Sequence, residues 1–289
     1  MPVPMREPIG RNSPTRIYEF GDKLHSKLVS DNEAKQAARE RSGKISGGKL
    51  GKPTLWAVLD LIGVPDAFDP YVLGKFQRGN DVESRAISFL TNLDNDMVIQ
   101  VSEGRQKNPG WVASEGILSG EFYLQKEGGY QGGVGYIDLA QKLKKSNEEI
   151  YHEIKSSTKM AYDKVSASGR SSKGVAAPYL HHALQLAYYC LGDGVTRAFL
   201  HYFNADDYRL CTFAINPLDY KEEIDKEIED IKTVFLTKQL PPFEGFLDYH
   251  KNKNYWSYKE WNELSPSEMM NKLKHEYPES YKKLMEMEL

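Results

Sequence analysis

The sequence predicts one α/β core with helical additions at both ends. Three observations carry this reading. Short β-prone runs bounded by glycines alternate with segments whose apolar residues recur every three or four positions. The 289 residues suit one or two ordinary domains. No internal repeat interrupts the order, and no second stretch holds a domain-sized core of its own.

Residues 1–52 contain eleven Lys or Arg against six Asp or Glu and few large apolar side chains, so they read as a basic, solvated arm with helical character. Residues 53–63 (PTLWAVLDLIG) open with a helix-initiating proline, carry apolar residues at helical spacing and close on Gly63, which predicts a short buried helix. A second helix is expected from about Asp81 to Leu93, where Val82, Ala86, Ile87, Leu90 and Leu93 form one stripe. That places Glu83 near its N-terminus. Residues 104–116 hold too much Gly, Pro and Asn for regular structure and read as a loop, with Trp111 either stacking a base or anchoring the loop.

Strands are expected at 117–125, 133–139 and 149–154, and the close-set Gly132, Gly133 and Gly135 mark a tightly approached backbone. Residues 155–173, with five basic residues and one Asp, read as a mobile loop over a functional face. Residues 178–191 show a helical pattern closed by Gly192. Residues 195–204 and 210–215 then look like paired strands turning at Asp206-Asp207, and 219–236 is an amphipathic helix with Ile224, Ile228, Ile231 and Phe235 inward. Residues 237–289 hold Trp256, Trp261 and many tyrosines among charges, as a packing appendage or an oligomer contact would. The organisation expected is therefore an arm (1–52), a core (53–236) and an appendage (237–289).

A net charge of −3 argues against a protein that coats nucleic acid by bulk charge, so any polyanion site must be local. With only Cys190 and Cys211 the chain cannot furnish a four-cysteine zinc or iron–sulfur site, and two cysteines fit a reducing, intracellular setting. No apolar run approaches a membrane span, and the first residues lack the apolar core of a secretory signal; a cytoplasmic protein without membrane contact is expected.

The chemistry concentrates in Gly135-Tyr136-Ile137-Asp138 and, beginning fifteen residues after that Asp, Glu153-Ile154-Lys155. On neighbouring antiparallel strands Asp138 and Glu153 converge at one end of the sheet, and Lys155 shares a face with Glu153. Two carboxylates and an ammonium in one pocket suit phosphodiester hydrolysis: carboxylate oxygens hold hard Mg²⁺ or Mn²⁺, and Lys155 orients or deprotonates the attacking water. The Ile154 carbonyl is a further oxygen donor. A solvated face would carry the same charges without the apolar strands that precede each acid here.

These residues resemble the motifs of the PD-(D/E)XK nucleases, and within them the RecB-like exonuclease group that includes the CRISPR-associated RecB-like nucleases. Gly135 to Asp138 matches the family's second motif, Glu153 and Lys155 the third, Gln185 and Tyr189 the fourth (Gln-x-x-x-Tyr), and Gly79 to Glu83 the first, in order over residues 79–189. The resemblance implies a restriction-endonuclease-like core, a central mixed β-sheet flanked by helices. It implies metal ligation by Glu83, Asp138, Glu153 and Ile154, catalysis by Asp138, Glu153 and Lys155, and strand positioning by Gln185 and Tyr189. Lys159, Lys164, Arg170 and Lys173 would draw in phosphates.

The segment at residues 45–53, ISGGKLGKP, is similar to the one that carries the first cluster cysteine in related proteins, yet it has none. No iron–sulfur cluster is expected, and what secures the N-terminal arm is left open. His181 and His182 point to different helix faces, and Cys190 lies on the apolar side; packing roles are expected for them. The activity implied is a metal-dependent deoxyribonuclease, foremost an exonuclease at DNA ends in recombination, repair or replication. The alternatives are a structure-specific or restriction-type endonuclease and a non-catalytic nucleic-acid-binding protein. DNA is the expected partner, with a homo-oligomer or a recombination protein as further ones.

Overall fold

The computed structural model describes residues 16–38, 43–91, 101–103, 120–127, 129–143, 148–168, 175–244 and 257–289. The readings placed on Trp111, Arg170, Lys173 and Trp256 lie outside the described residues. Helices are α1 (Arg16–Ala38), α2 (Thr54–Ile62), α3 (Pro70–Thr91), α4 (Lys159–Val165), α5 (Leu180–Asp193), α6 (Lys221–Thr237), α7 (Pro266–Glu276) and α8 (Pro278–Glu286). Strands are β1 (Val101–Glu103), β2 (Gly120–Glu127), β3 (Tyr136–Leu143), β4 (Glu149–Ser157), β5 (Ala198–Asn204) and β6 (Leu210–Ile215).

They form a mixed sheet in the order β1-β6-β5-β4-β3-β2. β2, β3 and β4 make an antiparallel meander, β5 returns parallel to β4 after α4 and α5, and β6 pairs antiparallel with β5. The α/β class, with a mixed sheet flanked by helices, is the one expected from the sequence.

Strand alternation sorts the core onto two faces. On one, Tyr151, Ala198, Leu200, Tyr202 and Phe213 pack with the buried side of α5 (Ala183, Leu184, Leu186, Ala187, Tyr188), with α2 and with the inward isoleucines of α6. On the other, Leu139, Ile154 and Phe203 meet Val82 and Ala86 of α3 in a smaller cluster. Tyr258, Trp261, Met269, Leu273 and Leu284 of the C-terminal region join the larger core. Asp66 holds that region by accepting from the Ser257 hydroxyl and the Tyr258 amide, and Trp56 Nε1 donates to Asn262 Oδ1 at 2.8 Å.

The cysteine-free segment at 45–53 is secured by backbone and tyrosine contacts. Val134 N–H (2.9 Å) and Tyr188 Oη (3.0 Å) both donate to the Ile45 carbonyl, Ser46 bridges to Val134, and Gly51 N–H donates to Glu227 Oε2 at 2.6 Å. Gly51 has φ +69°, and a Cβ there would stand 2.5 Å from His181 Cα, so only glycine lets this turn lie on the start of α5.

Three expectations change. α3 starts at Pro70 rather than near residue 81: Val72 and Leu73 are buried in its first turn, but the exposed, mostly polar run from Lys75 to Asp81 separates them from the stripe that begins at Val82. Glu83 consequently sits in mid-helix, beyond the first-turn dipole. Residues 155–165 are not a loop: β4 continues to Ser157, and Thr158 caps α4 by accepting from Ala161 N–H. Finally, α5 runs through Gly192 and ends at Gly194, which takes the left-handed conformation (φ +70°).

Candidate active site

The β3–β4 register pairs Leu139 with His152, and continuing it by one position sets Asp138 opposite Glu153. Asp138 Oδ2 accepts the Ile154 N–H at 2.8 Å, which fixes that carboxylate against β4. Glu153 is fully buried, and its Oε1 is paired with Lys155 Nζ, two residues along the same strand face. Its second oxygen, Oε2, is buried with no hydrogen-bond partner. A buried carboxylate oxygen without a donor is costly, and proteins retain few of them.

Two helices complete the cluster. α3 approaches the end of β4 at Gly79, where a Cβ would lie 3.3 Å from Ser156 Oγ, and one turn later Glu83 comes within electrostatic range of Asp138 and Lys155. On α5, Gln185 Nε2 donates to Tyr189 Oη at 3.2 Å, and the Tyr189 ring is influenced by Glu153 and Asp138. A Cβ at Gly135 would overlap that ring, so the glycine three residues before Asp138 makes room for it. The structure thus brings together Glu83, Asp138, Glu153, Lys155, Gln185 and Tyr189 from four elements.

The electrostatics are those of an acid excess. Burial first and Asp138 second push the Glu153 carboxyl up to about 8, against the pull of Lys155. Burial also raises Asp138, opposed by Lys155 and the Ile154 amide, and it raises Glu83, with Asp138 adding to the effect. Burial lowers the Lys155 ammonium, but Glu153, Asp138 and Glu83 together outweigh it and hold its proton tightly. The Tyr189 phenol is raised, chiefly by burial and then by Glu153. Three carboxyls therefore surround one ammonium.

The donor set fits a hard divalent cation: it consists of carboxylate oxygens, and Glu153 Oε2 lacks any other partner. Among the described residues no three His, Cys, Asp or Glu side chains already stand in ligating geometry. One oxygen of Glu153 is held by Lys155 and one of Asp138 by the Ile154 amide.

Other residues singled out in the sequence fall elsewhere. Ile154 is buried, and its amide serves Asp138. Lys159 pairs with Asp163 at 2.5 Å, and the Lys164 ammonium lies 5.5 Å from the Tyr179 ring, both on α4. His182 Nδ1 is 2.9 Å from Tyr202 Oη, a packing role, while burial followed by Lys52 and Lys155 depresses His181 to about 3. Cys190 is wholly buried. Sequence reading missed two features: Lys52, and the pair His152–His201, joined at 3.0 Å beneath Glu153's strand. The second had a signal in His152 and His201 on alternating strand positions, but only the β4–β5 register shows that they meet.

No protein-family profile matches the sequence, and no curated protein matches it. Solved structures similar to the chain include SSO0001 (18% identity, TM-score 0.39, covering 76% of this chain and 87% of that one). Another is the alkaline exonuclease LHK-Exo from Laribacter hongkongensis, both alone and in complex with dAMP. Each of these has 11% identity and TM-score 0.39, covering 75% of this chain and 96% of that one. Among the described residues no helix is long and apolar enough to cross a membrane.

Proposed function

We propose that this protein is a divalent-metal-dependent nuclease that hydrolyses DNA phosphodiester bonds, acting foremost as an exonuclease at DNA ends in recombination, repair or replication. The observation that carries the reading is the buried, charged and incompletely satisfied cluster of Asp138, Glu153 and Lys155, faced by Glu83. A purely structural ion pair gains nothing from extra carboxyls and an orphaned oxygen, since each adds desolvation cost.

Glu83, Asp138 and Glu153, with the Ile154 carbonyl, would hold Mg²⁺ or Mn²⁺. Such an ion, when bound, neutralises phosphate charge and lowers the pKa of a water molecule. Lys155, held as an ammonium by the surrounding acids, orients that water. Asp138 is kept in place by the Ile154 amide, so its free oxygen has a fixed direction. Gln185 and Tyr189 align the strand through their mutual hydrogen bond, and the positive charges of Lys159, Lys164, Arg170 and Lys173 draw in phosphates.

The preference for ends rests on the RecB-like Gln-x-x-x-Tyr pattern. Incubating end-labelled linear DNA, single- and double-stranded, beside a closed circle tests it. Metal-dependent trimming of linear DNA with the circle intact is the expected result; cutting of the circle would establish an endonuclease instead.

A further inference from the structure

We propose that Lys52 is a phosphate-binding residue of this site, contacting a backbone phosphate of the strand beside the scissile bond; the inference rests on the nuclease reading. Lys52 Nζ folds back to donate to the Gly48 carbonyl at 2.6 Å, so it follows the glycine turn rather than reaching into solvent. That turn runs along the face of α5 that carries Gln185. A Cβ at Gly47 would stand 2.8 Å from the rings of Tyr188 and Tyr189, and Gly51 rests on His181, one turn before Gln185. Tyr189 in turn receives the Gln185 hydrogen bond and sits in the field of Glu153 and Asp138. The Lys52 ammonium therefore borders the proposed strand-positioning pair.

The charges around it make an anion the missing partner. Lys49 and Lys155 repel it, and Asp60, which pairs with Lys49 at 3.5 Å, is the acid that acts in its favour. Among the described residues no carboxylate forms an ion pair with Lys52. Glu227 of α6 binds the adjacent Gly51 amide, and Glu223 and Asp230 line a cavity with Lys52, yet none of these acids is ion-paired with it. Burial, then Lys49 and Lys155, bring its pKa down to about 7. Lys49 is paired with Asp60 and Lys155 with Glu153, so Lys52 is the member of the three without an ion-pair partner among the described residues, and an anion is what it lacks. A phosphodiester laid against Glu153 and Tyr189 supplies that anion, and Lys155 and Lys52 then flank it from β4 and from the glycine turn.

The test uses the full-length protein and a fluorescent single-stranded oligonucleotide in chelator, so that binding is read without cleavage, over a range of salt concentrations. Lys52→Gln retains a donor for the Gly48 carbonyl but loses the charge. It is expected to bind about tenfold more weakly, with the slope of log Kd against log salt reduced by about 0.7, one phosphate contact on a single strand. Lys52→Arg is expected to stay within about threefold of wild type, and Lys282→Gln, which removes the same charge from an exposed position on α8, should not alter the slope. Thermal unfolding of Lys52→Gln is expected at or above the wild-type midpoint, whereas a purely structural lysine would lower it. Lys52→Met, which keeps the buried stem, gives the same readout should glutamine disturb the turn.

Equal affinity and slope for wild type and a folded Lys52→Gln would overturn the inference, as would wild-type protein that does not bind the oligonucleotide. Cleavage by wild type in Mg²⁺ or Mn²⁺ is measured in parallel. Binding that depends on Lys52 without any cleavage would refute the nuclease reading and leave the phosphate contact standing.

Discussion

The two faces of strand β4 bury titratable groups in opposite ways. On one, His152 meets His201 at 3.0 Å and Gln141 Oε1 at 3.2 Å, and His201 Nδ1 meets Thr212 Oγ1 at 2.8 Å. That chain crosses four strands and is kept uncharged by burial, which lowers His152 to about 3 and His201 well below its usual value. Only the Gln141 amide nitrogen at its end is left over. On the other face, Glu153 and Lys155 are ionic partners, two more carboxyls crowd them, and Glu153 Oε2 has no donor. A neutral chain with each ring nitrogen matched is what structure alone requires. A charged cluster with acceptors to spare is what a site that waits for a ligand requires.

The contrast is open to test at four positions, from the largest expected effect to the smallest. Lys155→Ala is expected to lower cleavage by about 1000-fold or more while leaving the fold in place, as the loss of a group acting on the reacting water should. A rate within tenfold of wild type would erase the distinction between the faces, and loss of fold would make Lys155 structural.

His201→Ala should do the reverse. It strands His152 and Thr212, so urea denaturation is expected to show a loss of about 3 kcal/mol, with the specific rate of the folded fraction unchanged.

Glu227 is a half-buried acid outside both networks, raised to about 7 by desolvation against the pull of the Gly51 N–H. Its folded-state pKa exceeds the unfolded value, so its contribution to stability is whole below about pH 4.5 and is lost as pH rises through 7. Glu227→Gln should therefore match wild type near pH 4.5 and exceed it at pH 8 by on the order of 2 kcal/mol in thermal or urea unfolding. A constant difference across that range would mean the carboxyl titrates normally.

The smallest change is Gly79→Ala. Its methyl would press on Ser156 Oγ from 3.3 Å, while the helix gains from alanine. Stability is expected to stay within about 1 kcal/mol and cleavage to fall by a few fold as Glu83 shifts. An unchanged rate would show that Glu83 does not depend on this approach.

The comparison also explains what the sequence could disclose. Asp138, Glu153 and Lys155 were legible because each lies on a strand with a clear apolar context, whereas Gln185 and Tyr189 stood out only through their resemblance to a Gln-x-x-x-Tyr motif. Glu83 was visible as a residue but misplaced along its helix, since only Val72 and Leu73 are buried at its start and the exposed, mostly polar run from Lys75 to Asp81 breaks the apolar stripe. Lys52 carried no local signal. Its position depends on a glycine turn seated on His181, Tyr188 and Tyr189, about 130 residues away, a contact that no periodicity encodes. His152 and His201 likewise meet only through a parallel register spanning 49 positions.

The most direct test of the central claim compares wild type with Asp138→Ala on end-labelled linear DNA, in Mg²⁺, in Mn²⁺ and in chelator, after circular dichroism has shown both proteins to be folded. The result expected is cleavage by wild type that needs the metal and vanishes in the variant. Folded wild-type protein that turns over nothing with either metal, or a variant that cleaves as well as wild type, would contradict the assignment of this carboxylate cluster as the catalytic centre.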